Sequence, residues 1–159
     1  MLNWIKFIVA FLLALTSVIT VTVLYNADKP FSLAEKTAIE SAMTSGQLVS
    51  VSSAEIFNGT DSIVTVFGMD ANGDETAVFV NGNPEDGFQE VKLADGISAE
   101  KAVANVKQEL DVKKVLHVTL GVEEEGPVWE VVFKSDNGKL NYVYLFFENG
   151  QWWKRILNL

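Results

Sequence analysis

The residue types that catalysis or metal binding would need are scarce in this sequence. His117 is the only histidine, and cysteine is absent. A structural zinc site needs several Cys or His ligands, and a nucleophilic serine needs a partner base. No Gly-x-Ser-x-Gly elbow is present. We therefore predict that the chain is not an enzyme, that it binds no metal or cofactor, and that His117 is a strand residue without a catalytic role.

Two acidic stretches have the composition of a cation-binding loop. A calcium loop places oxygen ligands at alternate positions and closes with a distal Glu. In the stretch 70–75 the residue Gly73 comes one place early and no distal Glu follows, so we predict a hairpin turn. Glu123-Glu124-Glu125 is expected to be a solvated turn.

Aromatic residues near the end of the chain are the candidate binding residues. Alternation places Tyr142 and Tyr144 on one face of a strand, with Val143 and Leu145 on the other, and it turns Trp152 and Trp153 to opposite faces of the next strand. Both faces of this sheet are therefore apolar, although a helix covers only one. Two interpretations stay open, packing against another part of the chain or binding of a protein partner. The candidate partner-binding residues are Tyr142, Tyr144, Trp152 and Trp153.

These aromatics belong to a predicted three-stranded antiparallel meander over 127–157. Trp129, Val131 and Phe133 alternate with polar or smaller residues, a period typical of a half-buried strand. Asn-Gly pairs at 137–138 and 149–150 predict the two turns.

The composition of the N-terminal region is typical of a membrane anchor. Residues 7–25 contain no charge, proline or glycine, and a helix of that length crosses the roughly 30 Å hydrocarbon core. A cleavable signal peptide is the alternative, but 23–25 is a poor cleavage site. We expect a cytoplasmic N-terminus at 1–6, an anchor at 7–25, a linker at 26–30 that ends the helix at Pro30, and an extracellular C-terminal part.

The rest of the chain repeats one pattern of a helix followed by about four strands. Ser32 is expected to cap the first helix and Ser98 the second, and the strand set of the first repeat includes turns at Asn58-Gly59 and Asn81-Gly82. We predict an α+β fold with two modules, 31–95 and 96–159, each with one helix packed on an antiparallel sheet. Since each module is near the size where a single core is marginal, we expect the two to pack together.

Charge separates the two modules. Residues 31–95 hold eleven acidic and two basic residues, whereas 96–159 hold nine acidic and eight basic residues. An acidic surface disfavours nucleic acid and anionic lipid. No small-molecule substrate is evident from the sequence.

The second module resembles a PepSY domain in its Trp129-Glu130-Val131 run and in the Tyr142–Gly150 run. The whole layout is similar to the TseB-like, or YpmB-like (DUF5590), family of Firmicutes, which has a membrane anchor and two cystatin-like modules. The helix start at 96–102, GISAEKA, matches that family, and the resemblance is strongest from Gly96 onward.

The resemblance implies a membrane-anchored, extracytoplasmic regulator of cell wall elongation. It further implies binding to an elongation-type class B penicillin-binding protein, a transpeptidase of peptidoglycan synthesis. The alternative is a PepSY-type protease-inhibitory or propeptide-like module. A third hypothesis, an enzyme on a cystatin-like fold, would need a polar pocket with converging acids, which the sequence does not indicate.

Overall fold

One long helix opens the chain. The computed structural model describes residues 2–81 and 88–159, with the backbone alone at 2–3 and 25–30. Helix α1 spans Leu2–Thr44, and its segment Trp4–Leu24 is long and apolar enough to cross a membrane by length and composition. The chain divides into two compact units, Met1–Ala34 and Glu35–Leu159.

The expected break at Pro30 is not present in the backbone. Helix α1 continues through the proposed linker at 26–30. Proline removes one intrahelical hydrogen bond, but the following Leu33, Ala34, Glu35 and Lys36 are strong helix formers that favour continuation. The end of α1 agrees with the sequence, since Gly46 takes the left-handed φ of 79° expected of a helix stop.

Besides the end of α1, the described part of the unit 35–159 contains eight strands and a second helix. The helix α2 spans Ala99–Glu109, after a short 3-10 turn at Leu93–Asp95. The first four strands are β1 (Ser50–Asn58), β2 (Ser62–Met69), β3 (Glu75–Val80) and β4 (Gln89–Lys92). The last four strands are β5 (Lys114–Glu123), β6 (Gly126–Lys134), β7 (Leu140–Phe146) and β8 (Trp152–Ile156).

The strands form two antiparallel sheets in sequence order, β1-β2-β3-β4 and β5-β6-β7-β8. The predicted α+β fold of two helix-on-sheet modules is confirmed, as are the meander β6-β7-β8 and the Ser98 cap, whose Oγ accepts from the Lys101 amide at 3.2 Å. Gly138 and Gly150 hold the positive φ of the two Asn-Gly turns. The turn expected at Asn81-Gly82 lies partly outside the described residues.

Each sheet carries a helix on one face. The end of α1 buries Ala38 and Ala42 against a first-sheet cluster that contains Val64, Val66 and Val78. Helix α2 buries Ala102 and Val106 in a second, larger cluster. Each helix therefore packs an apolar stripe on its sheet, as an amphipathic helix does.

The two modules share that larger cluster, so the prediction that they pack together is confirmed. It combines first-module residues such as Phe57, Ile63 and Phe79 with Leu120 and Tyr144 of the second module. We call this contact the junction, formed by Phe57, Thr60 and Thr65 of the first module against Leu120, Gly121, Glu123 and Tyr144 of the second.

Candidate functional site

The junction is closed by a ring seated on a glycine. Phe57 is fully buried, and its ring lies so close to Gly121 that a Cβ there would come within 2.2 Å of it. The same ring meets Tyr144 edge-on, with centroids 6.5 Å apart. The missing side chain at Gly121 is therefore what admits Phe57 between the modules.

Polar contacts at the junction satisfy backbone groups across the modules. The buried Thr65 hydroxyl donates to the Leu120 carbonyl oxygen at 2.6 Å. The Thr60 amide donates to both carboxylate oxygens of Glu123, at 3.2 and 3.3 Å. Glu123 is only 9% exposed, so the expectation of a fully solvated acidic turn is wrong at this residue, although Glu124 and Glu125 are exposed.

Tyr144, one of the four candidate binding residues, lies in the core. It is 6% exposed, and its hydroxyl donates to Glu130 Oε2 at 2.6 Å. Burial raises the pKa of Tyr144, and the hydrogen bond and negative charge of Glu130 raise it further. The hydroxyl therefore stays protonated, and Tyr144 acts as a donor to a buried carboxylate.

The other three candidates are partly exposed around strand β8. A β-bulge places Trp153 as the extra residue, because Tyr144 pairs with Lys154 and Leu145 with Trp152. Trp153 meets the edge of Tyr144 at 5.8 Å and lies 6.5 Å from Phe146. Tyr142 lies on the same face, opposite Ile156.

Trp152 lies on the opposite face, beside helix α2, as the alternation predicts. Its Nε1–H donates to Glu109 Oε1 at 2.7 Å. Arg155 stacks 3.8 Å from the Trp152 ring and pairs with Glu109 Oε2 at 3.2 Å. On the other face, Lys154 lies 5.7 Å from the Trp153 ring.

We call Trp152, Trp153, Lys154 and Arg155 the β8 edge. β8 is the last strand of its sheet, and each tryptophan of the β8 edge is accompanied by a cation. Aromatic and cationic groups together suit a protein surface that carries acidic and apolar side chains. The two interpretations, packing within the chain and binding of a partner, therefore apply to different residues. Tyr144 lies in the core, whereas Tyr142, Trp152 and Trp153 lie at the surface.

The acidic turn at 70–75 is a hairpin turn held by its own side chains. Asp70 accepts from the amides of Asn72 at 2.8 Å and Asp74 at 2.9 Å. Hydrogen bonds from Asp74 and Asn72, followed by the charge of Lys92, hold the pKa of Asp70 below its usual value. The Lys92 ammonium forms an ion pair with Asp74. The Lys92 side chain therefore supplies the positive charge beside the carboxylates of this turn.

Among residues 2–81 and 88–159, no three His, Cys, Asp or Glu side chains converge to hold a metal ion. Ser98 and Lys101 have the Ser-x-x-Lys spacing of some acylating enzymes. Here the Ser98 hydroxyl caps α2, and a cleft of about 590 Å³ beside it is lined by Asp74, Lys92, Glu100 and Trp129 among others.

The fold defines a class of proteins with an N-terminal apolar helix and two helix-on-sheet modules that share a core. The family described as "Cell wall elongation regulator TseB-like domain" matches residues 37–81. The "Probable cell wall elongation regulator TseB" of Bacillus subtilis (strain 168) is 29% identical over 109 residues, which cover 69% of this chain and 68% of that protein.

A solved structure agrees with these matches. The structure described as "YpmB protein from Bacillus subtilis" superimposes with a TM-score of 0.68 at 28% identity, covering 76% of this chain and 94% of that one. All three comparisons show that this chain is similar to the TseB-like, or YpmB-like, family. The family match at 37–81 falls in the first module, whereas the resemblance in the sequence motifs is strongest from Gly96 onward.

Proposed function

We propose that this protein is a membrane-anchored regulator of cell wall elongation that acts by binding a partner enzyme and catalyses no reaction itself. The name of the Bacillus subtilis relative supports the regulatory role. The apolar segment Trp4–Leu24 supports the anchor. The positive charge of Lys6, on the N-terminal side of residues 7–25, favours a cytoplasmic N-terminus, with both modules outside the cell.

The proposed partner is an elongation-type class B penicillin-binding protein. The observation that carries the binding proposal is the β8 edge, where two partly exposed tryptophans lie on a terminal strand. Tryptophan is enriched among the residues that dominate binding energy at protein interfaces. Tyr142 extends this surface, and Tyr144 contributes from below by holding the ring of Trp153 edge-on.

The tryptophan side chains of this surface are already held in place before a partner binds, so binding costs little conformational entropy. Trp152 is already fixed by its bond to Glu109 and by the stacked Arg155. Trp153 is fixed by Tyr144 and Phe146. Side chains held before binding lose less conformational entropy in the complex, which favours affinity.

The proposal is tested by capture of partners with the full-length chain. The wild-type protein, Trp153→Ala and Leu116→Ala are each expressed in the membrane, solubilised in detergent, and used to recover bound proteins for mass spectrometry. Leu116 is the matched control, because it is an exposed apolar residue on another strand, at 43% exposure. We expect recovery of a class B transpeptidase by wild type and Leu116→Ala, and at least a ~10-fold loss with Trp153→Ala, the size of a moderate hot spot.

Other outcomes separate the alternatives. If the wild-type chain recovers no transpeptidase, the proposed partner is wrong. If it recovers an extracellular peptidase and inhibits it, the protease-inhibitory hypothesis replaces ours. If Trp153→Ala and Leu116→Ala bind the transpeptidase equally well, the partner is right and the β8 edge is not its site.

A further inference from the structure

Asn-Gly pairs recur in the turns of this chain, and one of them differs from the others in its backbone hydrogen bonding. In three pairs the glycine amide donates to a backbone carbonyl oxygen three or four residues earlier, at 2.8 to 3.1 Å: Gly73, Gly138 and Gly150. Gly59 lies just beyond the end of β1, and in the part of the chain that the structure describes its amide makes no such bond. The Asn58-Gly59 pair therefore has the less restrained backbone.

The side chain of Asn58 carries a hydrogen bond on its carbonyl oxygen. Asn58 is exposed and pairs with Ser62 of β2, so that three residues form the loop between the two strands. The Ser62 hydroxyl donates to Asn58 Oδ1 at 3.1 Å. A donor in this place stabilises the negative charge that develops on Oδ1 when a nucleophile adds to Cγ. The nucleophile next to it along the chain is the backbone nitrogen of Gly59.

An asparagine followed by glycine loses its side-chain amide through a cyclic imide. The Gly59 nitrogen gives its proton to water or hydroxide and bonds to Asn58 Cγ, and the negative charge passes to Oδ1. The Cγ–Nδ2 bond then breaks and ammonia leaves. Water opens the imide at either of its two carbonyls, which gives aspartate or isoaspartate at position 58. The attack needs a rotation about the Cα–C bond of Asn58, which is easiest when the next residue has no Cβ and no bonded amide.

The loop that carries this pair forms one side of the junction. The Thr60 amide donates to both carboxylate oxygens of Glu123, at 3.2 and 3.3 Å. A Cβ on Gly59 would come within 2.2 Å of Glu123 Oε1. The backbone at positions 59 and 60 therefore lies directly against a carboxylate of the second module that is only 9% exposed.

Both products of the reaction disturb this contact. Aspartate at position 58 adds a negative charge beside the backbone that Glu123 already faces, and like charges in a partly desolvated place repel. Isoaspartate adds the same charge and also lengthens the backbone before Gly59 by one methylene group, which displaces the Thr60 amide. A nearly buried carboxylate then loses a hydrogen-bond donor, which is costly.

We propose that Asn58 is a site of spontaneous deamidation, and that its conversion to aspartate or isoaspartate loosens the junction between the two modules. This inference goes beyond the proposed function and does not depend on the proposed partner. The change accumulates with the age of the chain, so the older molecules have the weaker contact.

The test is incubation of the full-length chain in lipid nanodiscs for several days at mildly alkaline pH, which favours loss of the proton from the attacking amide. Peptide mass spectrometry measures the conversion at each Asn-Gly pair, and labelling by an isoaspartyl methyltransferase distinguishes isoaspartate from aspartate. Hydrogen exchange at the Thr60 amide, in fresh protein and in the converted fraction, measures the contact with Glu123.

Two variants sharpen the test. Ser62→Ala removes the donor to Asn58 Oδ1 and leaves the Asn-Gly pair in place. Asn58→Gln keeps a side-chain amide but reacts slowly, because it must close a larger ring. Aged Asn58→Gln therefore carries the same changes at the other Asn-Gly pairs and serves as the matched control for damage elsewhere.

We expect Asn58 to convert at least about threefold faster than the asparagines of the three pairs whose glycine amide must first give up a hydrogen bond. Ser62→Ala is expected to slow the conversion at Asn58 roughly two- to tenfold, the worth of one hydrogen bond. In the converted fraction we expect protection of the Thr60 amide to fall at least about tenfold, because its bond to a charged acceptor is lost. Aged Asn58→Gln is expected to keep the protection of fresh protein.

Four results would overturn the proposal. The site is wrong if Asn58 converts no faster than the other asparagines, or if Ser62→Ala reacts at the wild-type rate. The effect on the junction is wrong if the converted fraction keeps the Thr60 protection of fresh protein. It is also wrong if aged Asn58→Gln loses that protection, since the loss would then come from another site.

Discussion

The junction and the β8 edge each place an aromatic ring against Tyr144 of the second sheet, but the two regions differ in what covers them. At the junction, Phe57 closes over Gly121 and Tyr144 and is fully buried. At the β8 edge, Trp152 and Trp153 are only partly buried, and side chains of their own module, with cations among them, accompany both rings.

This difference separates two uses of an aromatic side chain. A ring that is wholly removed from water contributes its full transfer free energy to folding. A ring that stays half-exposed contributes less to folding and keeps apolar area for a partner. We therefore expect substitutions at the junction to act on stability and substitutions at the β8 edge to act on binding.

The largest stability effect is expected for Phe57→Ala. The change removes a fully buried ring and leaves a cavity between the modules, which we expect to lower the free energy of unfolding by about 3–5 kcal/mol. Chemical unfolding of the full-length protein in detergent, followed by tryptophan fluorescence, measures it. A loss below about 1 kcal/mol would mean that the junction contributes little, and the comparison would fail.

Gly121→Ala is expected to have an intermediate effect. The new Cβ would meet the Phe57 ring at 2.2 Å, so the ring or the strand must move, at a cost of about 1–3 kcal/mol. The double variant Phe57→Leu with Gly121→Ala sharpens this test. If the two positions are in contact, the second substitution costs less in the Phe57→Leu background than in wild type, whereas additive losses would contradict the seating of Phe57 on Gly121.

The sequence predicts most of the elements because their patterns are local. Alternation at Trp129, Val131 and Phe133 predicts β6, and the Asn-Gly pairs predict the turns that join the meander. Ser98 predicts the start of α2 because its hydroxyl accepts a hydrogen bond from the backbone amide three residues later. The continuous α1 was not predicted because Pro30 lacks the amide for one intrahelical hydrogen bond, whereas the good helix formers on its C-terminal side favour continuation.

The junction was not predicted because its partners are distant in sequence. The periodicity of β1 does not predict that Phe57 contacts Gly121. In the sequence Glu123 resembles its exposed neighbours, and only the folded structure brings the Thr60 amide to its carboxylate. Gly121, a glycine between Leu120 and Val122 in the interior of β5, was the available signal, since a glycine inside a strand often marks a close backbone approach. For the candidate binding residues, alternation gave the faces correctly, but it could not tell that Phe57 would cover Tyr144 and leave Trp153 near the surface.

The smallest stability effect is expected at the β8 edge, for Glu109→Gln. This change keeps an acceptor for Trp152 Nε1–H but removes the ion pair with Arg155, whose side chain is 39% exposed while that of Glu109 is 50% exposed. Because solvent and salt screen such a pair, we expect a loss of at most about 1 kcal/mol in the free energy of unfolding, and a smaller one at high salt. Unfolding at low and high salt, with Glu40→Gln as an exposed ion-pair control on α1, measures the difference. A salt-independent loss above about 2 kcal/mol would show that the β8 edge supports the fold as the junction does, and the division between a stabilising and a binding set of aromatics would then be wrong.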